Sequence, residues 1–287
     1  PELNKTFKLN QQTRIFATQN PLRQGGGRKG LPQSFLNRFT KVYLRKLEES
    51  DLTHVMSHNF DVLERNDLLR DFKLIDRMVA FSNRIELGII NHEFGYRGGP
   101  FEANLRDMLR WCELLTNPKT GYDVIKCERL EEFLLILFEK MKLVYCQRMR
   151  SESDVQHIFS IFKEIFQVDV EGLQNESKEV AFYWNDTDIF FNDIQLSRNS
   201  RNKNHENVIV MGSQLKTLKH VTECVIMNKP LIICGPSDCG KTKIINTFCS
   251  IAGKSLELDS IDDSVTGSFQ QFDLNRALEE IWQSIEE

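Results

Sequence analysis

Residues 230–242 read Pro230-Leu231-Ile232-Ile233-Cys234-Gly235-Pro236-Ser237-Asp238-Cys239-Gly240-Lys241-Thr242. The apolar run before Gly235 has the length of a buried strand, and Lys241 to Ile251 has helical spacing. Gly235 to Thr242 is therefore a strand-to-helix loop in the pattern GxxxxGK[ST]. Such a loop suits phosphate because successive backbone N–H groups and a helix N-terminus surround the anion with no side chain in the way. Gly235, Pro236, Ser237, Asp238, Cys239 and Gly240 are expected to form the cradle. Lys241 would neutralise the β and γ phosphates and Thr242 would hold Mg²⁺, so ATP or ADP with Mg²⁺ are the expected ligands. Pro236 removes one backbone donor, but at the start of the loop, and Cys239 is a small filler inside it. The competing reading is a chance turn between a core strand and a helix; the flanks on both sides favour nucleotide.

Outward from this loop, the order is strand (Val208 to Met211), amphipathic helix (Leu215 to Met227), strand (Leu231 to Cys234), loop, helix and strand (Leu256, Leu258). That alternation opens an α/β domain. A P-loop ATPase also needs an acidic pair at the end of a later strand to hold Mg²⁺ and set up the attacking water. Only 45 residues follow Thr242, and no apolar run ends in Asp-Glu. Leu134 to Glu139 lacks the Asp and falls in a helical pattern. The domain opening at Val208 is thus expected to be unfinished within the chain. The first 45 residues look like the end of a similar domain. They hold a buried strand ending near Thr18, a basic glycine loop (25–30), a helical turn through Phe35, Leu36 and Phe39, and a strand from Lys41 to Leu44.

Between these halves, the apolar residues of 51–150 fall mostly at helical spacing. About four helices are expected, with Ser50 or Asp51 as a cap and Gly98-Gly99-Pro100 as a break. Asp154 to Phe166 adds a helix with a wide apolar face. In 168–207, VAFYW and DIFF suggest short strands, and RNSRNKNHEN is too polar for a core, so a boundary is placed there.

Composition bounds the function. The 287 residues carry 37 Lys+Arg against 41 Asp+Glu, with 40% hydrophobic residues and a pI near 6.0. That excludes a disordered or fibrous chain and disfavours a dedicated nucleic-acid binder, so no direct nucleic-acid readout is expected. The charge is uneven: residues 1–50 carry ten Lys/Arg and three Asp/Glu, and residues 255–287 carry nine Asp/Glu and one Arg. Opposite ends of this kind suit surfaces that meet on neighbouring units. Seven cysteines without a CxxC pair support neither a disulfide framework nor a zinc site. The longest apolar run, Phe133 to Phe138, is far short of the ~20 residues of a membrane span, and no membrane partner is expected. The chain opens without Met and without a leader pattern, and it reads as a piece of something longer.

Three polar residues outside the loop are candidates for chemistry. Asn20, at a strand tip, could orient an attacking water; closing the turn before Pro21 is an equal alternative. Arg38, in Phe35-Leu36-Asn37-Arg38-Phe39, could act in trans on a neighbour's γ-phosphate, or form an ordinary surface ion pair. Arg106, in Asn104-Leu105-Arg106-Asp107, could reach a nucleotide from the helical part, or pair with Asp107 or Glu102.

Phe16-Ala17-Thr18-Gln19-Asn20-Pro21, then GGGRKGLPQSFLNRFT, then Asn104-Leu105-Arg106-Asp107-Met108-Leu109-Arg110-Trp111-Cys112, resemble the midasin family of giant, dynein-related AAA+ ATPases. The resemblance runs from about Phe7 to Asp273 and is weakest between Val168 and Glu206. It implies six AAA+ modules in one polypeptide, closed into a ring, with each nucleotide between adjacent modules. On this chain it implies the end of one α/β large subdomain (1–48), with Asn20 as sensor 1 and Arg38 as the arginine finger. A helical small subdomain (49–167) follows, with Arg106 as sensor 2. Then come an inter-module linker with short strands (168–206) and the start of the next large subdomain (207–287), with Walker A at Gly235 to Thr242. The fourth and fifth modules are the implied pair. Asp263-Ser264-Val265-Thr266-Gly267-Ser268-Phe269-Gln270-Gln271 departs from the family pattern there, with one Gly and the Glu replaced, which puts the geometry of that loop in question.

The family further implies an ATP-hydrolysing remodelling motor, a chaperone-like machine of large ribosomal subunit assembly. Its partners would be the neighbouring modules, the pre-ribosomal particle and assembly factors, and its location the nucleolus and nucleoplasm. The 287 residues alone are expected to be inactive. A second reading is a structural ring segment that binds nucleotide without turning it over, and a third is a free-standing P-loop regulator. The acidic pair expected after Glu287 would separate the first two.

Overall fold

The computed structural model describes residues 10, 12–19, 33–95, 101–117, 124–176, 180–192, 194–198 and 210–253. Its helices are α1 (Gln33–Leu36), α2 (Glu49–Asn59), α3 (Asp61–Arg65), α4 (Asp67–Asp71), α5 (Leu74–Ile90), α6 (Leu105–Thr116), α7 (Leu130–Met141), α8 (Glu152–Phe166), α9 (Val170–Glu176), α10 (Leu215–Ile226) and α11 (Lys241–Ala252). Its strands are β1 (Phe182–Trp184), β2 (Asp188–Phe191) and β3 (Ile194–Ser197), an antiparallel meander in the order β1-β2-β3. Among the described residues, no helix is long and apolar enough to cross a membrane.

The helical expectation for the middle of the chain holds, with more and shorter helices than the spacing suggested. Among the described residues, seven helices lie between 49 and 166, because the backbone leaves helical geometry at Phe60, Asn66 and Lys73. Asn66 makes its break useful. Its side-chain oxygen accepts from the Leu69 N–H, and its amide donates to the carbonyls of Val124 and Cys127, 3.0 and 3.1 Å away. The first cap also differs. α2 starts after Glu48, whose N–H donates to the Asp51 carboxylate at 3.0 Å, so Asp51 closes the turn from inside the helix.

The helices bury one apolar core centred on aromatic rings. Phe81 on α5 meets Trp111, Tyr145, Phe162 and Phe166, with ring centroids 5.3–6.1 Å apart. Rings at such spacing gain from edge-to-face and tilted contact as well as from burial. The Trp111 indole N–H donates to the Leu137 carbonyl at 3.1 Å, so this largest core side chain leaves no polar atom stranded. Gly88 on α5 is required by packing: a Cβ there would collide with the Phe94 ring. Val170 and Leu173 of α9 also join this core.

A second, smaller core lies between the meander and two helices. Cross-strand pairing puts Phe182, Trp184, Ile189, Phe191, Ile194 and Leu196 on one face. Ile189, Phe191 and Ile194 are buried with Leu218 and Val221 of α10 and with Ile244, Phe248 and Ile251 of α11. The stretch expected as a linker thus contributes apolar residues to both cores.

Four expected strands are not seen as strands. Residues 12–19 and 41–44 run extended and exposed, with Phe16, Val42, Tyr43 and Leu44 projecting into solvent. Residues 231–234 are unpaired, with Ile232 exposed, and 210–211 form no strand either. The physical reason is common to all of them. A strand exists through its ladder, and these segments meet no partner strand among the described residues. Asn20, the 25–30 loop, Gly98-Gly99-Pro100 and everything after Gly253 lie outside the described residues.

The two cores are joined by charge. Lys140 on α7 and Glu223 on α10 are 3% and 2% exposed, and Nζ lies 2.6 Å from Oε1. The other carboxylate oxygen is 3.2 Å from Nδ1 of His220, whose Nε2 is 3.4 Å from the Gln147 amide. Gln147 is brought there by a π-helical turn, Lys142–Cys146, that continues α7. At the rim, Lys229 pairs with Glu113 of α6 at 2.9 Å.

Burial alone would raise the Glu223 pKa, but the His220 hydrogen bond and the Lys140 charge outweigh it and hold the carboxyl well below its ordinary 4.5. Its folded-state value lies below its unfolded one, so the stabilisation is complete above about pH 4.5 and is lost as pH falls towards the folded value. Urea denaturation between pH 6 and pH 3 should show stability falling with acid, and Glu223→Gln should flatten that dependence. Lys140→Met alone should cost ~3–5 kcal/mol by stranding a buried carboxylate, whereas Lys140→Met with Glu223→Leu should cost far less.

Candidate functional site

The loop from Gly235 to Gly240 joins the extended segment 231–234 to α11. Its two unusual backbone positions make the turn. Asp238 has φ +60° and Gly240 has φ +85°, a left-handed value that glycine adopts without penalty. Gly235 is required by contact, since a Cβ there would sit 2.8 Å from the Cys239 sulfur. The N-terminus of α11 carries no side-chain cap and no acidic residue in its first turn. Its unsatisfied N–H groups and the positive end of its dipole are therefore left for an anion.

Lys241 lies across this loop. Its ammonium donates to the carbonyls of Gly235 at 3.0 Å and Pro236 at 2.6 Å, with the Cys239 sulfur 3.9 Å away. Thr242 follows, exposed at the helix start. A cradle of this shape, with a cation beside it and no carboxylate in the helix's first turn, fits a polyphosphate. Among the described residues, no group of three or more His, Cys, Asp or Glu side chains could hold a metal ion. A Mg²⁺ at this loop would instead take the Thr242 hydroxyl together with oxygens of the nucleotide itself.

The outlying candidates are not gathered around the loop. Arg38 follows α1 and is exposed, with no ion pair among the described residues. Arg106 is exposed in the first turn of α6, where its N–H is capped by the Asn104 side chain at 2.9 Å. Neither pairing proposed for Arg106 forms. Asp107 caps the Asn104 N–H and pairs with Arg148 at 2.8 Å, and the Glu102 carbonyl is also taken by Arg148. Asn20 lies outside the described residues.

Some residues that support the loop were not legible as such. Gln214 is buried, and its Nε2 lies 3.2 Å from where a Cβ on Gly240 would be, so it backs the turn. Lys140 and Glu223 were also missed. The available signal was a single charge at an apolar-spaced helical position on each, Lys140 after Phe133 and Leu137 and Glu223 between Val221 and Cys224. Sequence spacing could not match two residues 83 positions apart.

The cysteines divide by environment. Burial pushes the Cys146 thiol up to about 12 and Cys112 further still, which keeps both in the unreactive neutral form. Cys234 and Cys239 are exposed, one before the loop and one inside it. Limited iodoacetamide treatment of the native chain should label Cys234 and Cys239, read by mass spectrometry, while Cys112 and Cys146 react only after unfolding in urea.

The helical part has a known counterpart. A midasin AAA lid domain matches residues 51–169, from the first turn of α2 to the residue before α9. The whole chain is similar to two curated proteins. It is 31% identical to the midasin of Dictyostelium discoideum over 99% of its length, and 27% identical to that of Giardia intestinalis over 96%. It spans only 5% and 6% of those proteins. The lid match takes in the helices that carry Arg106 and Lys140, and the likeness extends past it through the phosphate-type loop. The chain thus carries a midasin AAA lid domain, set in a stretch that is similar to midasins along nearly its entire length.

Proposed function

We propose that the chain is the joint between two consecutive AAA+ modules of an ATP-driven remodelling machine, and that it binds Mg-nucleotide at Gly235 to Thr242. The observation that carries this reading is the uncapped N-terminus of α11 behind a left-handed Gly240, with Lys241 lying across the loop. In this reading, residues 1–48 finish one large subdomain, the lid follows, and the next large subdomain begins near residue 207. The extended, unpaired segments 12–19, 41–44 and 231–234 support it, because their exposed apolar side chains suit strands of sheets completed by other parts of the polypeptide.

Lys241 would balance phosphate charge and Thr242 would hold Mg²⁺, while the N–H groups of the loop and of α11 orient the polyphosphate. The bound Mg²⁺ would supply charge neutralisation between the phosphates. Arg38, exposed and free of ion pairs among the described residues, is suited to reach a nucleotide held by a neighbouring module. Arg106 is suited to do so from the lid, and Asn20 to orient water. By its likeness to midasins, the machine would act on the pre-ribosomal large subunit and its assembly factors in the nucleus. A second reading keeps the same loop as a static nucleotide staple, which would stabilise the ring by linkage without turnover.

Two measurements test these assignments. Titration of the 287-residue chain with a fluorescent ADP analogue and Mg²⁺ should show saturable binding that Lys241→Ala abolishes. Bound nucleotide should also slow Cys239 alkylation, whereas unaltered binding in Lys241→Ala would remove the loop from the argument. In the full-length protein, Arg38→Ala should lower ATP turnover, by up to ~10³-fold for a finger acting in trans. A change confined to stability, about 1 kcal/mol or less, would mark Arg38 as a surface residue instead.

A further inference from the structure

α10 is tied both to the phosphate-type loop and to the lid. At its N-terminal end, the buried Gln214 backs Gly240. At its C-terminal end, only residues 227–234 separate it from Gly235. Along its length, Leu218 and Val221 share a core with Ile244, Phe248 and Ile251 of α11, the helix that opens at Lys241. A small shift of the loop and of α11 therefore cannot be absorbed by slack, because packed apolar interiors are dense and transmit displacement.

On its opposite side, α10 meets the lid through polar groups. Lys140 bonds Glu223, Gln147 meets His220, Lys229 pairs with Glu113, and Cys224 faces the Arg110 guanidinium. Only the Lys140–Glu223 pair is fully removed from water, which makes it the contact least tolerant of partial displacement. A buried ion pair is either formed with good geometry or strongly unfavourable, since separating the charges leaves each without solvent. The rim contacts can stretch and re-form through water at little cost.

We infer that Lys140 and Glu223 are positioning residues that couple the nucleotide loop to the lid, so that Mg-nucleotide at Gly235 to Thr242 and the conformation of α7 bias one another. The inference rests on the nucleotide-binding reading and adds to it a route, α11 to α10 to α7, and the pair through which that route passes. The ligand class is a nucleoside diphosphate or triphosphate with Mg²⁺. Coupling of this kind is reciprocal: whatever factor nucleotide applies to the lid, the lid applies to nucleotide affinity.

The test is amide hydrogen exchange across Leu130–Met141 in the 287-residue chain, with and without MgADP, in the native sequence and in Lys140→Met/Glu223→Leu. The double substitution is chosen because it keeps the interface apolar and filled, and circular dichroism establishes that it folds. In the native chain, MgADP should slow exchange in α7 by about 5-fold or more, the lower end of typical coupling. In the double variant, MgADP should still bind, its affinity should shift by that same factor, and the slowing in α7 should vanish. Equal slowing in both chains would overturn the inference, as would MgADP binding to the native chain with no effect on α7. Failure of MgADP to bind the native chain at all would overturn the nucleotide reading together with this one.

Discussion

The arrangement depends on a lysine and a glutamate that have given up water to meet each other. Lys140 and Glu223 come from helices in different cores, and each would be prohibitively placed without the other. The desolvation they share is offset by a short contact and by His220, which takes the second carboxylate oxygen. A purely apolar joint could slide by a turn of helix and stay favourable. A buried ion pair cannot, because a shift would leave Lys140 and Glu223 without each other and without water, so it sets the register of α10 on the lid. The π-helical turn after α7 serves the same joint, because it turns Tyr145 and Cys146 inward and leaves Gln147 facing His220.

Two different kinds of core stand on either side of that pair. The lid is held by rings: Phe81, Trp111, Tyr145, Phe162 and Phe166 interlock, and the long α5 and α8 are drawn together around them. Arg77 adds a polar tie, donating to the Phe72 and Ile165 carbonyls while its guanidinium sits 4.4 Å over the Phe72 ring. The second core is thin, a three-stranded meander against two helices, and its outer face carries the Tyr183–Phe190 stack, with Tyr183 exposed and Phe190 half-buried. The loop that suits phosphate belongs to this thinner part, where backbone donors are exposed instead of committed to a ladder.

Much of this was legible beforehand, for a physical reason in each case. The loop is readable because its turn needs particular residues at fixed local spacing: Gly235 against the Cys239 sulfur, a left-handed Gly240, and then Lys241 and Thr242 opening the helix. The lid helices are readable from their 3.6-residue periodicity, although Asn66 and Lys73 broke them more often than periodicity indicates. The segments 12–19, 41–44 and 231–234 form no ladder among the described residues because periodicity reports a segment's preference, whereas pairing depends on a neighbour that the segment does not encode. β3 was overlooked for the opposite reason. Gln195 and Ser197 make it look polar, yet Ile194 and Leu196 fall on the buried face once β2 fixes the register.

The sequence by itself determined the local features: a phosphate-type loop before α11, an amphipathic helical lid, and a family likeness carried by short contiguous strings. These depend on residues within a few positions of one another, so chain order suffices to read them. Only the tertiary structure decided which charges are buried, that Arg148 and not Arg106 takes Asp107, and that α10 bridges the loop and the lid. Those outcomes join residues tens of positions apart, and they follow from how the helices pack, since only packing removes Lys140 and Glu223 from water together.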